Sequence, residues 1–117
     1  MTDEIKLERT YGKFVDIGHS VYEEAKIRIR EAYTLCDTIV VSFSAGKDST
    51  AVLNVALEIA EELDRLPLKV IFWDEEAVHP QTIEYAERVR KDPRVDFMWV
   101  CVPLMHRNAC SRSQPFW

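Results

Sequence analysis

The sequence is poor in cysteine and glycine, with three of each in 117 residues. Cys36, Cys101 and Cys110 are odd in number, and no CxxC pair or Cys/His cluster accompanies them. This pattern argues against a disulfide-bonded scaffold and against a structural zinc site. It favours reduced thiols in a cytoplasmic protein, and no metal site is predicted.

Long hydrophobic runs and an excess of positive charge are also missing. No apolar stretch approaches the roughly 20 residues of a membrane-spanning helix, and the polar N terminus does not resemble a signal peptide. Acidic residues outnumber basic ones by 20 to 15, so the net charge is −5, which argues against general nucleic-acid binding. A local phosphate site stays compatible with this charge, because such sites use backbone N–H groups.

What the sequence does contain is the composition of one globular domain, covering residues 1–117. Hydrophobic residues make up 47% and charged residues 30%, which is the balance of a protein with a single core. Residues 1–18 form an irregular lead-in, and residues 103–117 form a loop-rich tail. Between these two segments, helical and strand-like patterns alternate.

The first helix is marked by Ser20 and Glu23, a capping-box pair, and is expected to end near Leu35. Apolar, β-branched runs predict strands at 38–43, 68–73 and 95–102, the first of them buried on both faces. A second helix follows residue 50, and a third begins at Pro80. The apolar stripe expected for the second helix comprises Val52, Val55, Ala56, Ile59, Ala60 and Leu63.

This alternation predicts an α/β fold, a Rossmann-like three-layer α/β/α arrangement around a parallel sheet. Ligands of such sheets bind at the carboxyl ends of the strands. The predicted loops at 44–50, 74–79 and 103–117 all lie at that edge. The sequence therefore brings its three irregular segments to one place.

The loop at 44–50 carries the clearest chemical signal. It joins a buried strand to the start of a helix, where free N–H groups and the positive end of the helix dipole attract anions. Ser44, Ser49 and Thr50 add hydroxyl groups, and Lys47 adds a cation. The alternative is a helix start capped by Asp48 or Ser49, with no ligand. A Walker A loop is excluded by its spacing, because Val41 and Asp48 stand where that motif requires glycine and serine or threonine.

Residues 41–50 resemble the pyrophosphate-binding loop (PP-loop) of the adenine-nucleotide alpha-hydrolase superfamily, whose signature is S-G-G-K-D-S. Segments 72–77, 81–85 and 99–104 are similar to the phosphoadenylyl-sulfate (PAPS) reductase-like branch of that superfamily. The resemblance implies the N-terminal half of such a domain. The nucleotide site that it implies comprises Ser42, Phe43, Ser44, Ala45, Gly46, Lys47, Asp48, Ser49, Thr50 and Asp74.

In this implied site, Asp74 would lie near the adenosine, although a carboxylate that caps a turn is the alternative. Phe43 and Trp73 would either stack on adenine or belong to the core. The ligand would be ATP or 3′-phosphoadenylyl sulfate, with Mg²⁺ as a possible companion. Lys47 and Asp48 are candidates for catalysis, but the catalytic set stays open.

Two kinds of function follow from the resemblance. The first is enzymatic: release of sulfite from an adenylyl sulfate, or attack at the α-phosphate of ATP in sulfur transfer. The second is a non-catalytic nucleotide-binding module that needs a partner chain, or a structural remnant. The cysteines do not decide between them, because Cys110 does not match the catalytic motif of the reductases and Cys101 is expected to be buried in its strand.

The sequence departs from the family pattern at two points. Ala45 replaces a glycine, at a cost on the order of 1 kcal/mol if the backbone there requires positive φ. The chain also stops after the third strand, so the strand at 38–43 would have an open edge. Open apolar edges pair with other chains, which predicts a homodimer or a partner chain that completes the sheet.

Overall fold

The computed structural model describes residues 16–101, 110 and 112–114. Three parallel strands alternate with helices, so the predicted α/β class is confirmed. The predicted lead-in and tail lie largely outside the described residues. In chain order the elements are α1 (Val21–Leu35), β1 (Val40–Phe43), α2 (Lys47–Glu62), β2 (Leu68–Asp74), α3 (Pro80–Arg90) and β3 (Val95–Cys101).

The sheet has the order β1-β2-β3, with β2 in the centre and every neighbouring pair parallel. Val41 is aligned with Val70, and Phe43 with Phe72. All four of these side chains are buried, beneath α2 and α3. Right-handed crossovers that step across a sheet in one direction place their helices on the same face. This explains why α2 and α3 both cover the same face of the sheet.

The opposite face of the sheet remains open within the described residues. Val40, Trp73 and Met98 on that face are 53%, 46% and 61% exposed. The prediction that the first strand is buried on both faces was therefore wrong, because β1 alternates between exposed and buried positions. The described helices supply a layer for one face only.

Polar contacts cap the N terminus of α1 and join the helix to α2. The predicted capping box is present: Ser20 Oγ accepts from the Glu23 N–H at 3.2 Å, and the Ser20 N–H donates to Glu23 Oε2 at 3.3 Å. Further along, Arg30 donates two hydrogen bonds to Glu62 of α2, at 3.0 and 2.8 Å. These bonds lower the pKa of the Glu62 carboxyl. α1 has no fully buried residue, but Ile29 and Tyr33 pack against the core in partly buried positions. This apolar packing positions α1 together with the polar contacts.

The buried side of α2 includes Ala56, Ile59 and Ala60 of the predicted stripe, but not all of its members. Leu53 and Leu57 are 3% and 4% exposed, whereas Val52 and Leu63 are 54% and 38% exposed. The apolar residues of α2 form an arc wider than the side that is buried, so their spacing alone does not fix that side. Packing against β1 and β2 determines which part of the arc is buried. No helix of the described residues is long and apolar enough to cross a membrane.

Candidate functional site

The connection between β1 and α2 is shorter than predicted. β1 ends at Phe43 and α2 begins at Lys47, so only residues 44–46 form a loop. The prediction of a loop through Thr50 was wrong, because polar residues 47–50 form the first turn of the helix. Gly46 is the N-cap residue and has no side chain to cap α2. The positive N-terminal end of α2 is thus left without a side-chain cap in the described part of the chain.

Hydroxyl groups hold this short loop in shape. Ser49 Oγ accepts from the Ser44 N–H at 3.2 Å and donates to the Gly46 carbonyl at 3.2 Å. The two serine hydroxyl oxygens are 3.0 Å apart, and Thr50 Oγ1 donates to the Gly46 carbonyl at 2.7 Å. The hydroxyl groups predicted as ligand donors therefore also serve as internal supports of the loop.

Lys47 and Asp48 project into solvent from the start of α2. Their side chains are 93% and 94% exposed, and Lys47 Nζ lies 3.7 Å from Asp48 Oδ1. Exposed pairs of this kind contribute little stability. Lys47 can therefore turn toward an anion at the helix end at small energetic cost.

Ala45 has φ of 60°, in the left-handed region. This position therefore meets the condition under which alanine in place of glycine carries a strain cost. Gly46 has φ of −85°, which any residue can adopt. A Cβ added at Gly46 would meet only Ser44 Oγ, at 3.5 Å, which is an ordinary contact. Neither its backbone nor its neighbours require Gly46 to be glycine, but the missing side chain leaves space over the loop.

An open cleft of about 490 Å³ lies at the carboxyl ends of β1 and β2. This volume is within the range of small-molecule sites. One side of the cleft is formed by three residues of the predicted site, Ser42, Phe43 and Ser44. Most residues of the opposite wall were not predicted from the sequence. That wall runs from the end of β2 into the start of α3. Its residues, with those under the cleft, are Phe72, Trp73, Glu75, Ala77, Val78, His79 and Thr82.

The two aromatic residues proposed for adenine stacking differ in exposure. Phe43 is 1% exposed, and its ring lies 5.9 Å from Tyr85 and 6.4 Å from Phe72. It belongs to the core and forms part of the cleft floor. Trp73 is 46% exposed, so its ring retains free surface for a ligand.

Asp74 joins the ends of β2 and β3. Its Oδ2 accepts from Trp99 Nε1 at 3.1 Å and lies 3.9 Å from Cys101 Sγ, while its Oδ1 accepts from the Glu76 N–H at 3.0 Å. The latter bond caps a turn, which was the alternative interpretation of this carboxylate. Neither Asp74 nor Cys101 lines the cleft. The prediction that Cys101 is buried was wrong, because the residue is exposed.

The described residues hold no group of three or more His, Cys, Asp and Glu side chains that could bind a metal ion. A Mg²⁺ ion at this site would therefore need ligands from the nucleotide as well as from the protein, which is how Mg²⁺ is commonly held. Asp48 is the exposed carboxylate beside the end of α2 that could contribute.

A parallel sheet with a loop and a cleft at the carboxyl ends of its strands is the arrangement of an α/β protein. A family model described as the phosphoadenosine phosphosulfate reductase domain matches residues 38–112. The chain belongs to this family, which confirms the resemblance drawn from residues 41–50.

One curated relative of the chain is the uncharacterized protein YbdN of Escherichia coli (strain K12). It is 35% identical over 101 residues, which cover 84% of this chain and 25% of YbdN. The chain therefore spans about a quarter of the length of that relative. No solved structure gave a significant match.

Proposed function

We propose that the chain binds an adenine nucleotide, with its phosphate or sulfate end at the N terminus of α2 and its nucleoside in the cleft. The observation that carries this proposal is that both parts adjoin at Ser44, which belongs to the loop and also lines the cleft. An anion requires N–H groups and positive charge, whereas a base requires apolar surface. The two requirements are met side by side.

Individual residues take separate roles in this proposal. The N–H groups of the first turn of α2 and the Lys47 ammonium bind the anionic group. Trp73 stacks on the base, because its ring is half exposed beside the cleft. Asp48 offers a carboxylate to the Mg²⁺ that accompanies ATP.

Two reactions fit such a bound nucleotide. In one, a thiol reductant supplies two electrons, and an adenylyl sulfate is split into sulfite and the nucleoside phosphate. In the other, a nucleophile attacks the α-phosphate of ATP and pyrophosphate leaves, as in activation for sulfur transfer. The positive helix end would stabilise the departing anion in either case. The described lining of the cleft has no thiol, which supports nucleotide binding more directly than redox chemistry. A non-catalytic binding module is the second candidate for this reason.

The test is titration calorimetry of the chain with ATP and with 3′-phosphoadenylyl sulfate, each with and without Mg²⁺. Saturable binding of one nucleotide is expected. Lys47→Ala should weaken it at least tenfold, and Gly46→Ala should weaken it by placing a methyl group over the loop. Lys91→Ala is the matched control, because it removes the same charge at the far end of α3. Turnover of the bound nucleotide separates an enzyme from a binding module, and no binding would contradict the proposal.

A partner strand at β1 is also part of the proposal. β1 pairs with β2 on one side, and the described residues place no strand on its other side. We propose that a second copy of the chain, or another chain, pairs with this edge. Sedimentation velocity should then show a dimer that forms as concentration rises, or a complex once the partner chain is added. A monomer at every concentration would rule out pairing between copies.

A cytoplasmic location completes the proposal. Cys36, Cys101 and Cys110 form no disulfide with one another, which is the usual condition of cysteines in a reducing compartment. Microscopy of a fluorescent fusion, with fractionation as an independent check, tests this point.

A further inference from the structure

A separate groove lies between α2 and α3, away from the cleft. It has a volume of about 240 Å³, and none of its described lining residues also lines the cleft. α2 packs mainly on α1 and β1, whereas α3 packs mainly on β3. The two helices therefore leave a gap between them, here called the α2–α3 groove.

The floor of the α2–α3 groove is apolar. Leu53 and Leu57 of α2 and Val95 of β3 line it and are buried, and Val89 of α3 packs against the same core. Leu53 and Leu57 are four residues apart, so the floor is about one helical turn long, about 6 Å. A floor of this length has room for one or two apolar side chains, not for the whole face of another helix.

Three polar side chains surround this floor without a hydrogen-bond partner of their own. They are the Asn54 amide, the Tyr85 hydroxyl and the Arg88 guanidinium, and none of them forms a hydrogen bond or ion pair with another described residue. Arg88 instead lies over the Tyr85 ring, 5.3 Å from its centre. No side-chain polar atom in the described part of the chain is both buried and unpaired, so the Tyr85 hydroxyl is open to solvent.

The charges that line the α2–α3 groove leave one cation unbalanced. Arg94 donates to Asp92 through Nε at 3.1 Å and through a second nitrogen at 2.8 Å, so these two charges neutralise each other. Arg88 has no such carboxylate among the described residues. The groove is therefore positive, with free donors beside an apolar floor. Its complement is an acidic group next to an apolar one.

We infer that the α2–α3 groove docks a short acidic peptide segment of a partner protein. The segment inserts one bulky apolar side chain over Leu53 and Leu57 and places a neighbouring aspartate or glutamate against Arg88. Pockets that bury small molecules hold roughly 300–1,000 Å³, so this open groove is too small to enclose one, whereas a single anchor side chain needs less space. Tyrosine and arginine also carry much of the binding energy at protein interfaces.

The experiment begins with selection of short random peptides, displayed on phage, against the whole chain. The enriched peptides should have Asp or Glu next to leucine, methionine or an aromatic residue. Titration calorimetry with one synthetic selected peptide should show binding that weakens about tenfold in Arg88→Gln, because a hydrogen-bonded charge pair is lost. Arg90→Gln is the matched control, because Arg90 does not line the groove and pairs with Glu87. Binding should stay unchanged in that variant.

A change in the peptide locates the contact. Replacing its acidic residue with the corresponding amide should weaken binding to the wild-type chain about tenfold and leave binding to Arg88→Gln unchanged, because both changes remove the same charge pair. Asn54→Trp should also weaken binding, since Asn54 is exposed on the rim and a large ring there fills the groove.

Several results would overturn the inference. Failure of the selection, enriched peptides without an acidic residue, or equal weakening by Arg88→Gln and Arg90→Gln would each do so. Competition by hexanoate at the concentration of the peptide would overturn it in favour of a small carboxylate ligand. Self-association that Arg88→Gln abolishes in sedimentation velocity would overturn it in favour of a second copy of the chain. Binding of ATP should be the same in Arg88→Gln as in the wild-type chain, so none of these results bears on the proposed function.

Discussion

Replacing Ala45 with glycine should stabilise the protein. The backbone at Ala45 has φ of 60°, a conformation that costs an L-residue about 1–2 kcal/mol. Glycine removes that cost but has more freedom in the unfolded chain, which offsets about 0.4–1 kcal/mol. The substitution also removes a methyl group that packs against the core. The net gain in the free energy of unfolding should therefore be about 0.5–1 kcal/mol.

Urea denaturation followed by circular dichroism measures this change. With a slope near 1.5 kcal/mol per molar urea, within the usual range for small proteins, the midpoint should rise by about 0.5 M. Ala45→Val should lower the midpoint, because a β-branched side chain is strongly disfavoured at positive φ. Gly46→Ala should leave stability nearly unchanged, because φ there is −85°.

The opposite pattern would refute this account of the loop. If Ala45→Gly lowers the midpoint while Ala45→Val leaves it unchanged, residue 45 does not occupy the left-handed region. If Gly46→Ala is strongly destabilising, the loop needs a glycine at 46 for its own backbone. In that case, loss of nucleotide binding in Gly46→Ala could no longer be attributed to a blocked site.

Three further predictions concern packing and charge. Leu57→Ala should lower the free energy of unfolding by about 2–4 kcal/mol, because Leu57 is 4% exposed. Val52→Ala should be nearly neutral, because Val52 is 54% exposed. Similar urea midpoints for the two variants would contradict the observed buried face of α2. The Arg30 hydrogen bonds lower the pKa of the Glu62 carboxyl from its ordinary 4.5. The folded state is therefore stabilised by this carboxylate above pH 4.5, and the stabilisation is lost as the pH falls through the lowered pKa. Glu62→Gln should therefore flatten the acid limb of stability against pH, and Glu61→Gln should not. Asp74→Ala should lower the free energy of unfolding by about 1–2 kcal/mol, because the Trp99 Nε1–H and the Glu76 N–H lose their acceptor. An unchanged midpoint of thermal unfolding would show that water replaces the carboxylate.

The elements of the fold could be predicted from the sequence because their signals are local. The capping box at Ser20 and the β-branched runs of the strands act through neighbouring residues, and each was found where expected. The start of α2 was predicted wrongly for a related reason. Residues 46–50 have the glycine, lysine and hydroxyl side chains of a loop, yet polar and acidic residues are also favoured in a first helical turn. Composition alone does not separate these two interpretations.

Burial could not be predicted in the same way, because it depends on which face of an element meets its neighbours. Val40 and Val41 are equally apolar, but one is 53% and the other 6% exposed. Only the packing of α2 over one side of β1 distinguishes them. The positive φ of Ala45 could not be predicted from the sequence either, because alanine ordinarily avoids this conformation.

The two ends of the candidate site differ in how visible they are in a sequence. The proposed anion-binding end comes from one contiguous segment, residues 44–50, so a motif indicates it. The cleft joins Ser44 of that segment to a wall between residues 72 and 82, and Val78 and His79 of this wall belong to no motif. Under the proposed function, the residues that decide which nucleoside is accepted should therefore be sought at the carboxyl end of β2.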